Sequence, residues 1–285
     1  MAVRNSIPTG SPQVVLFGDS LWEGCVDAQD GFSFYATLQK HCLRRYDVVN
    51  RGFSGYNTSQ ALKIFEHLFP EPGPGTPRME YLIVLLGAND AALPLDDDNQ
   101  SVPLEQYKAN LAQLVGHPRV AAHGCKVLVV TPPPLDEIRR AEMDAAQHGR
   151  AVREQARSAA YSQAAREVAA EVGEAAAKGA GPVVCVDLAK ALMDHAVANT
   201  PGWDASQPPL GSAGAGGRRG YLEQLLPDGL HMSGEAYRVL WGLVEAEIQP
   251  RFPNENTEGY AWPGWREAPW LEPGQTVEER RKASK

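Results

Sequence analysis

The chain has 285 residues, of which 43% are hydrophobic and 22% charged. This is the composition of a globular protein and excludes a disordered, collagen-like or coiled-coil chain. The 27 Lys and Arg against 35 Asp and Glu give a net charge of −8, which disfavours nucleic acid and anionic lipid as partners. The longest uncharged apolar run, YLIVLLGA at 81–88, is about half of the roughly 18 residues that a membrane-spanning helix needs. We therefore predict no membrane span.

The N-terminus and the cysteines predict the compartment. The first residues, MAVRNSIPTGSPQ, contain no apolar stretch before a polar segment and no small-residue cleavage site. This start is not typical of a secretory signal, so we predict a cytoplasmic protein. The four cysteines are widely spaced and form no Cys-x-x-Cys pair, which favours reduced thiols over a disulfide framework or a zinc site. They are Cys25, Cys42, Cys125 and Cys185.

Apolar runs alternate with helical patterns along the chain. The runs lack the in–out alternation of a half-solvated strand, so we predict buried strands. They lie at 14–17, 48–49, 81–86, 127–130 and 183–186. Helical patterns cover 32–45, 58–69, 104–115, 139–177 and 234–248. The alternation predicts a single doubly wound α/β domain, with a parallel sheet and helices on both of its faces.

Three segments depart from this alternation. Residues 139–177 are Ala-rich with a candidate break at Gly149, and they form either an insertion or lid, or a long broken surface helix. Residues 199–220 are a Gly/Pro/Ser-rich loop and a second candidate insertion. Residues 251–285 form a Trp-containing extension with a charged tail. We expect its aromatic residues to dock on the main domain, which spans 1–250.

A serine follows the first predicted strand, in Gly18-Asp19-Ser20. In doubly wound domains ligands bind beyond the carboxyl ends of the strands, so Ser20 lies where a site is expected. A hydroxyl there can project into the crevice while backbone N–H groups face the same space. The same residues are also typical of an ordinary turn, and taken alone they leave both readings open.

Asp228-Gly-Leu-His231 contains the two partners that a serine nucleophile requires. A neutral hydroxyl is a poor nucleophile at neutral pH and needs a base that is itself oriented by a carboxylate. An Asp three residues before a His, on a short loop before a helix, can supply both groups. The alternative is that Asp228 begins a turn and His231 lies near a helix N-terminus.

Two further residues fit an oxyanion hole, which needs donors aimed at the oxygen that becomes negative. Gly55, in the segment after the second strand, offers a backbone N–H that no side chain obstructs. Asn89, after the third strand, offers a side-chain amide. All four features follow different elements on the same rim of the predicted sheet, which favours a common site.

Four segments together resemble the blocks of the GDSL, or SGNH, hydrolase family, in order and at family-like spacings. They are FGDSLW (17–22), NRGFSGYNT (50–58), LLGANDA (85–91) and DGLHMS (228–233). The segments NRGFSGYNT and GANDAALPL, with VPLEQYKANL further on, are most similar to the isoamyl acetate-hydrolysing esterase branch.

This resemblance implies a fold and a mechanism. The fold is a flavodoxin-like three-layer α/β/α sandwich with a five-stranded parallel sheet. The reaction is hydrolysis of a carboxylic ester through an acyl-enzyme, with Ser20 as nucleophile, His231 as base and Asp228 as its orienting carboxylate. The oxyanion donors would be the backbone N–H groups of Ser20 and Gly55 and the amide of Asn89. Such an enzyme needs no metal and no organic cofactor.

The leading hypothesis is a serine esterase for small-molecule esters of small or medium acyl chains. A lysophospholipase, a thioesterase or a carbohydrate deacetylase would use the same triad, and a binding protein would keep the fold without turnover. Three aromatic residues adjoin the predicted site, Trp22, Phe53 and Tyr56. They either line an apolar acyl pocket or pack in the core. The sequence leaves a homodimer open.

Overall fold

Five parallel strands form one sheet within residues 11–95, 100–176 and 180–249, the part of the chain that the computed structural model describes. The strands are β1 (Gln13–Gly18), β2 (Asp47–Gly52), β3 (Met79–Leu85), β4 (Lys126–Val130) and β5 (Val183–Val186). Their order is β2-β1-β3-β4-β5, which is the flavodoxin-like order of doubly wound sheets. The predicted fold class is confirmed. The 251–285 extension, with its expected docking, lies outside the described residues.

The described helices are α1 (Ser20–Glu23), α2 (Phe34–Cys42), α3 (Thr58–Leu68), α4 (Leu104–Val115), α5 (Pro118–His123), α6 (Glu137–His148), α7 (Gln155–Ala175), α8 (Leu188–Ala198), α9 (Leu222–Leu225) and α10 (Gly234–Val244). The predicted helical segment 139–177 is two helices, because Gly149 ends α6. Helix α8 was not predicted, because its apolar residues follow those of β5 almost without a break. Its start is marked by Asp187, whose side chain accepts the N–H of Lys190.

Two hydrophobic cores lie on opposite faces of the sheet and make three layers. In β1, Val14 and Leu16 face one core, while Val15 and Phe17 face the other. The first core is completed by α1, α2, α8, α9 and α10, and the second by α3, α4, α5 and α7. Helix α6 adds no residue to either core. Its buried residues are Arg140 and Asp144.

The expectation that all five strands are buried is wrong for β2 and β5. The central strands β1, β3 and β4 are almost wholly buried, but most residues of β2 and β5 are partly exposed. These two strands are the edges of the sheet and have a strand neighbour on one side only. Cys185 in β5 is exposed, whereas the other three cysteines are buried. None of the four is in a disulfide.

No helix in the described part of the chain is long and apolar enough to cross a membrane.

The strand register brings the predicted site segments together. Gly18, the last residue of β1, pairs with Gly52 of β2 and with Leu85 of β3. The segments that follow these three residues therefore leave the sheet side by side. A side chain at Gly18 has no room, because a Cβ there would lie 2.1 Å from the backbone oxygen of Leu85. The glycine of FGDS is thus required by the packing of β1 on β3.

Replacing this glycine tests that requirement. Gly18→Ala should lower the melting temperature by about 5 °C or more, because the added methyl must push apart two hydrogen-bonded strands. Gly242→Ala in α10 is the matched control, since a Cβ there meets nothing within 4 Å and alanine favours a helix. Equal melting temperatures for the two variants would contradict this account.

Asp90 connects the segment after β3 to the start of α3 by hydrogen bonds. Its Oδ1 accepts the backbone N–H of Thr58 at 3.0 Å and also the Thr58 hydroxyl, while its own carbonyl accepts the N–H of Val102. The carboxyl is fully buried, and its Oδ2 has no hydrogen-bond partner among the described residues. Burial raises the pKa of Asp90 from 3.8 to about 6, although both bonds from Thr58 act against this rise.

This raised pKa predicts a pH-dependent stability. In the unfolded chain the carboxyl loses its proton near pH 3.8, whereas in the folded protein it does so near pH 6. The stability that the protonated carboxyl contributes is present below the first value and is lost as the pH rises through the second. Asp90→Asn, which stays neutral, should therefore raise the melting temperature by a few degrees at about pH 8. The gain should shrink at about pH 4, and a gain that is independent of pH would contradict the prediction.

Candidate active site

Ser20 lies beyond the carboxyl end of β1, in the turn from β1 into α1. Asp19 caps α1, because its Oδ1 accepts the backbone N–H of Leu21 at 2.9 Å. This cap makes Ser20 the first residue of the helix, with its hydroxyl partly exposed. The backbone N–H of Ser20 has no partner among the described residues. The buried strand β1 therefore presents both the hydroxyl and a free N–H at its carboxyl end.

The segment with Asp228 and His231 is a tight loop between α9 and α10. Gly229 has a φ of +87°, in the left-handed region, and a Cβ there would lie 2.6 Å from the carbonyl oxygen of Asp136. The carbonyl of Gly229 accepts the N–H of Asp136 at 3.0 Å, which ties the loop to the start of α6. Glycine is required here by both its conformation and the close approach.

Ser20, His231 and Asp228 form one hydrogen-bonded chain. The Ser20 Oγ lies 3.0 Å from His231 Nε2, and His231 Nδ1 lies 2.7 Å from Asp228 Oδ2. The serine and the histidine are 211 residues apart in sequence, so only the folded chain brings them into contact. The structure thus brings together the three residues that the sequence analysis selected.

Asp228 is arranged to remain ionised. Its Oδ1 accepts the backbone N–H groups of Leu230 at 2.9 Å and His231 at 2.7 Å. Burial by itself would raise the pKa of this carboxyl, but the hydrogen bonds from the His231 ring and from the two N–H groups hold it well below its usual range. Arg140 of α6 adds a cation, with one guanidinium nitrogen 3.4 Å from Asp228 Oδ2.

The ionised carboxylate determines the tautomer of His231. A carboxylate can only accept a hydrogen bond, so the Nδ1 of His231 must carry the proton that it donates to Asp228. In the neutral ring Nε2 is then unprotonated and accepts the hydrogen of the Ser20 hydroxyl. This arrangement can remove a proton from Ser20 when the hydroxyl oxygen attacks an electrophile.

Gly55 and Asn89 lie in the segments that follow β2 and β3. One N–H of the Asn89 amide donates to the carbonyl of Tyr56 at 2.9 Å, which ties the two segments together. The Gly55 carbonyl accepts the side-chain amide of Gln100 at 2.9 Å. The backbone N–H of Gly55 has no partner among the described residues. These donors are therefore held by neighbouring groups while Gly55 keeps a free N–H.

The three aromatic residues near the site differ in exposure. The Trp22 ring is fully buried and packs on Phe34 at 5.1 Å between ring centroids, so it lies in the first core and offers no surface to a substrate. Phe53 and Tyr56 are half-buried, with ring centroids 5.1 Å apart. Since Tyr56 accepts a hydrogen bond from Asn89, this pair adjoins the site.

Two neighbours of Ser20 have raised pKa values. Burial and, as a smaller cause, the nearby Asp90 charge raise the pKa of Asp19 from 3.8 to about 7, although the hydrogen bond from the Leu21 N–H lowers it. Burial also raises the pKa of Cys25 to about 12, so that thiol is protonated and a poor nucleophile at neutral pH. Within the described residues, no three His, Cys, Asp or Glu side chains are grouped so that they could hold a metal ion.

A group of polar residues around the site was not predicted from the sequence. They are Gln100, Asp136, Arg140, Asp144 and Arg153. They come from loops and from α6, and no motif marks them, because each contacts the site through the fold and not through nearby sequence. Charged residues in an Ala-rich segment gave no signal of burial.

Comparison with known proteins identifies the family. Residues 16–239 match the GDSL-like lipase/acylhydrolase family. The chain is 40% identical over 127 residues to the isoamyl acetate-hydrolyzing esterase 1 homolog of Mus musculus. These residues are 44% of this chain and 49% of the mouse protein. It is 28% identical over 277 residues to a GDSL esterase/lipase of Arabidopsis thaliana, and this match covers 94% of this chain and 98% of the plant protein.

A solved structure supports the fold. The lipase/acylhydrolase from Enterococcus faecalis has a TM-score of 0.52 and 23% identity, over 83% of this chain and 95% of that one. The match to the mouse protein spans about half of that relative's length. Since the family match covers most of the chain, including all four sequence segments, the chain belongs to the GDSL-like lipase/acylhydrolase family.

Proposed function

We propose that the chain hydrolyses carboxylic esters with Ser20 as nucleophile, His231 as general base and Asp228 as the carboxylate that orients the base. The observation that carries this proposal is the hydrogen-bonded chain from Ser20 through His231 to Asp228, at 3.0 and 2.7 Å. These distances are within the reach that proton transfer from a serine hydroxyl requires.

The mechanism follows from the positions of these groups. The Ser20 Oγ attacks the ester carbonyl carbon while His231 Nε2 takes the hydroxyl proton, and a tetrahedral intermediate forms. Its oxyanion would accept hydrogen bonds from the backbone N–H groups of Ser20 and Gly55 and from an N–H of the Asn89 amide. His231 then gives its proton to the alcohol oxygen as the bond from this oxygen to the carbonyl carbon breaks. The alcohol departs, and the acyl group remains bound to Ser20. Water repeats the attack with the same base and releases the acid and Ser20.

The acyl group that we propose is small or medium in size. The mouse relative is named for the hydrolysis of an acetate ester, and it is 40% identical to this chain over 127 residues. The half-buried pair of Phe53 and Tyr56 beside Asn89 offers an apolar surface of limited area for an acyl chain. The fully buried Trp22 ring is not part of this surface.

A short substrate series tests both the reaction and the nucleophile. Purified protein should hydrolyse p-nitrophenyl acetate and butyrate faster than the octanoate, and Ser20→Ala should lower kcat at least about a thousandfold. Ser54→Ala, at an exposed serine in the neighbouring segment, is the control and should keep full activity.

Other results point to the alternatives. Turnover that survives Ser20→Ala would exclude Ser20 as the nucleophile. A folded protein that hydrolyses none of the three esters would be assayed with a lysophospholipid, an acyl thioester and an acetylated sugar. Failure on all of them would favour a binding protein.

Asp228→Asn tests the orienting carboxylate. An amide can donate to Nδ1 and so favour the tautomer in which Nε2 carries the proton and cannot accept from Ser20. We expect kcat to fall about a thousandfold or more while the melting curve stays cooperative. Asp194→Asn removes an exposed carboxylate that is paired with Lys190 on α8, and it should leave kcat unchanged. Nearly normal turnover of Asp228→Asn would refute the orienting role.

A further inference from the structure

A chain of buried charges connects the two halves of the site. Arg140, Asp144 and Arg153 are at most 8% exposed. The Asp144 carboxylate lies 2.6 Å from Arg140 Nε and 3.5 Å from a terminal nitrogen of Arg153, and its other oxygen accepts the N–H of Val152. Arg140 also contacts Asp228 at 3.4 Å. The three residues thus form a bridge that begins at the carboxylate of the proposed triad.

The other end of this bridge is at the proposed oxyanion donors. A terminal nitrogen of Arg153 lies 3.4 Å from Asn89 Oδ1 and 3.3 Å from Gln100 Oε1. Gln100 in turn donates to the carbonyl of Gly55 at 2.9 Å. Two of the three residues proposed to bind the oxyanion, Asn89 directly and Gly55 through Gln100, are therefore in contact with the same guanidinium.

This contact determines which way the Asn89 amide points. A guanidinium can only donate hydrogen bonds, so the oxygen of the Asn89 side chain must face Arg153. The NH₂ group then faces the opposite way, where one N–H donates to Tyr56 and the other is left for a ligand. A rotated amide would place its oxygen where a donor is needed.

The charge of Arg153 is available to Asn89. The short ion pair of Asp144 is with Arg140 at 2.6 Å, and Arg153 lies farther from that carboxylate, at 3.5 Å. The Nε of Arg153 has no hydrogen-bond partner among the described residues. A nearly buried cation behind an amide polarises the amide and makes its N–H a stronger hydrogen-bond donor.

We propose that Arg153 is a positioning residue for the oxyanion hole, which acts by holding the amides of Asn89 and Gln100. The proposal rests on the proposed function, since it assumes that Asn89 and Gly55 stabilise an oxyanion. Because these donors act chiefly in the transition state, loss of Arg153 should lower kcat and leave KM nearly unchanged. A purely structural brace would instead change the melting temperature without this selective loss.

Substitutions of two neighbouring arginines test the proposal. Arg153→Met should lower kcat for p-nitrophenyl acetate about 10- to 100-fold, with KM within about twofold of wild type. Arg153→Lys keeps a cation but loses the planar guanidinium, so its kcat should lie between those of the wild type and Arg153→Met. Arg157→Met is the matched control, because Arg157 bonds Ala91, Ser101 and Tyr161 but contacts neither Asn89 nor Gln100. It should lower the melting temperature and leave kcat within about twofold.

A mutant cycle shows whether Arg153 acts through Asn89 and Gln100. If it does, adding Arg153→Met to the double variant Asn89→Ala/Gln100→Ala should lower kcat by less than about threefold beyond that double variant. Losses that multiply would mean that Arg153 acts elsewhere, and unchanged kcat in Arg153→Met would also overturn the proposal. If Arg153→Met does not fold, Arg153→Lys takes its place in the cycle, because it leaves no uncompensated buried charge.

Failure of the proposed function is visible in the same assays. If Ser20→Ala keeps wild-type turnover, or if the wild type hydrolyses no ester, the proposed function fails and the role of Arg153 fails with it. If Ser20→Ala abolishes turnover while Arg153→Met and Arg153→Lys keep wild-type kcat, the proposed function stands and only the role of Arg153 is refuted.

Discussion

The hydrogen bond from the Asp136 N–H to the Gly229 carbonyl, at 3.0 Å, fastens the loop that presents His231 to the start of α6. Arg139 strengthens this attachment by donating to the carbonyl of Pro227. Ser20 is presented by β1, whereas Asp136 follows β4, and β3 lies between these two strands. The distance between the hydroxyl and the imidazole therefore depends on the complete central sheet, and local structure around either residue would not produce it.

Many polar groups are buried near the carboxyl ends of the central strands. Asp19, Asp90, Asp136 and Asp144 are fully buried, and an unpartnered charge in such a place is costly. Backbone N–H groups and arginines compensate most of these carboxylates, but one oxygen of Asp19 and one of Asp90 have no partner in the described residues. The proposed ester hydrolysis needs dipoles and charges that are fixed before the substrate arrives, and their burial lowers the stability of the fold.

The two helices of the Ala-rich segment perform different tasks. Helix α7 packs on the second core and is the crossover from β4 to β5. Helix α6 packs on neither core and instead directs Arg140 and Asp144 inward, toward Asp228 and Arg153. The segment from α6 to Arg153 thus touches both the loop of His231 and the loop of Asn89. Its sequence suggested either a lid or a broken surface helix, because alanine and charged residues are typical of exposed helices.

The doubly wound fold and the residues of the candidate triad could be predicted from the sequence. Apolar runs predict central strands, since burial on both faces requires an unbroken run, and the serine, aspartate and histidine lie in short motifs next to turn-forming glycines. Three features could not be predicted: that β2 and β5 are exposed edges, that Trp22 is a core residue, and that Arg153 contacts Asn89. Exposure, burial and contacts between distant residues depend on which elements become neighbours. A chain records the type of each residue and its local spacing, but the distance between Arg153 and Asn89 exists only after the sheet and α6 have packed.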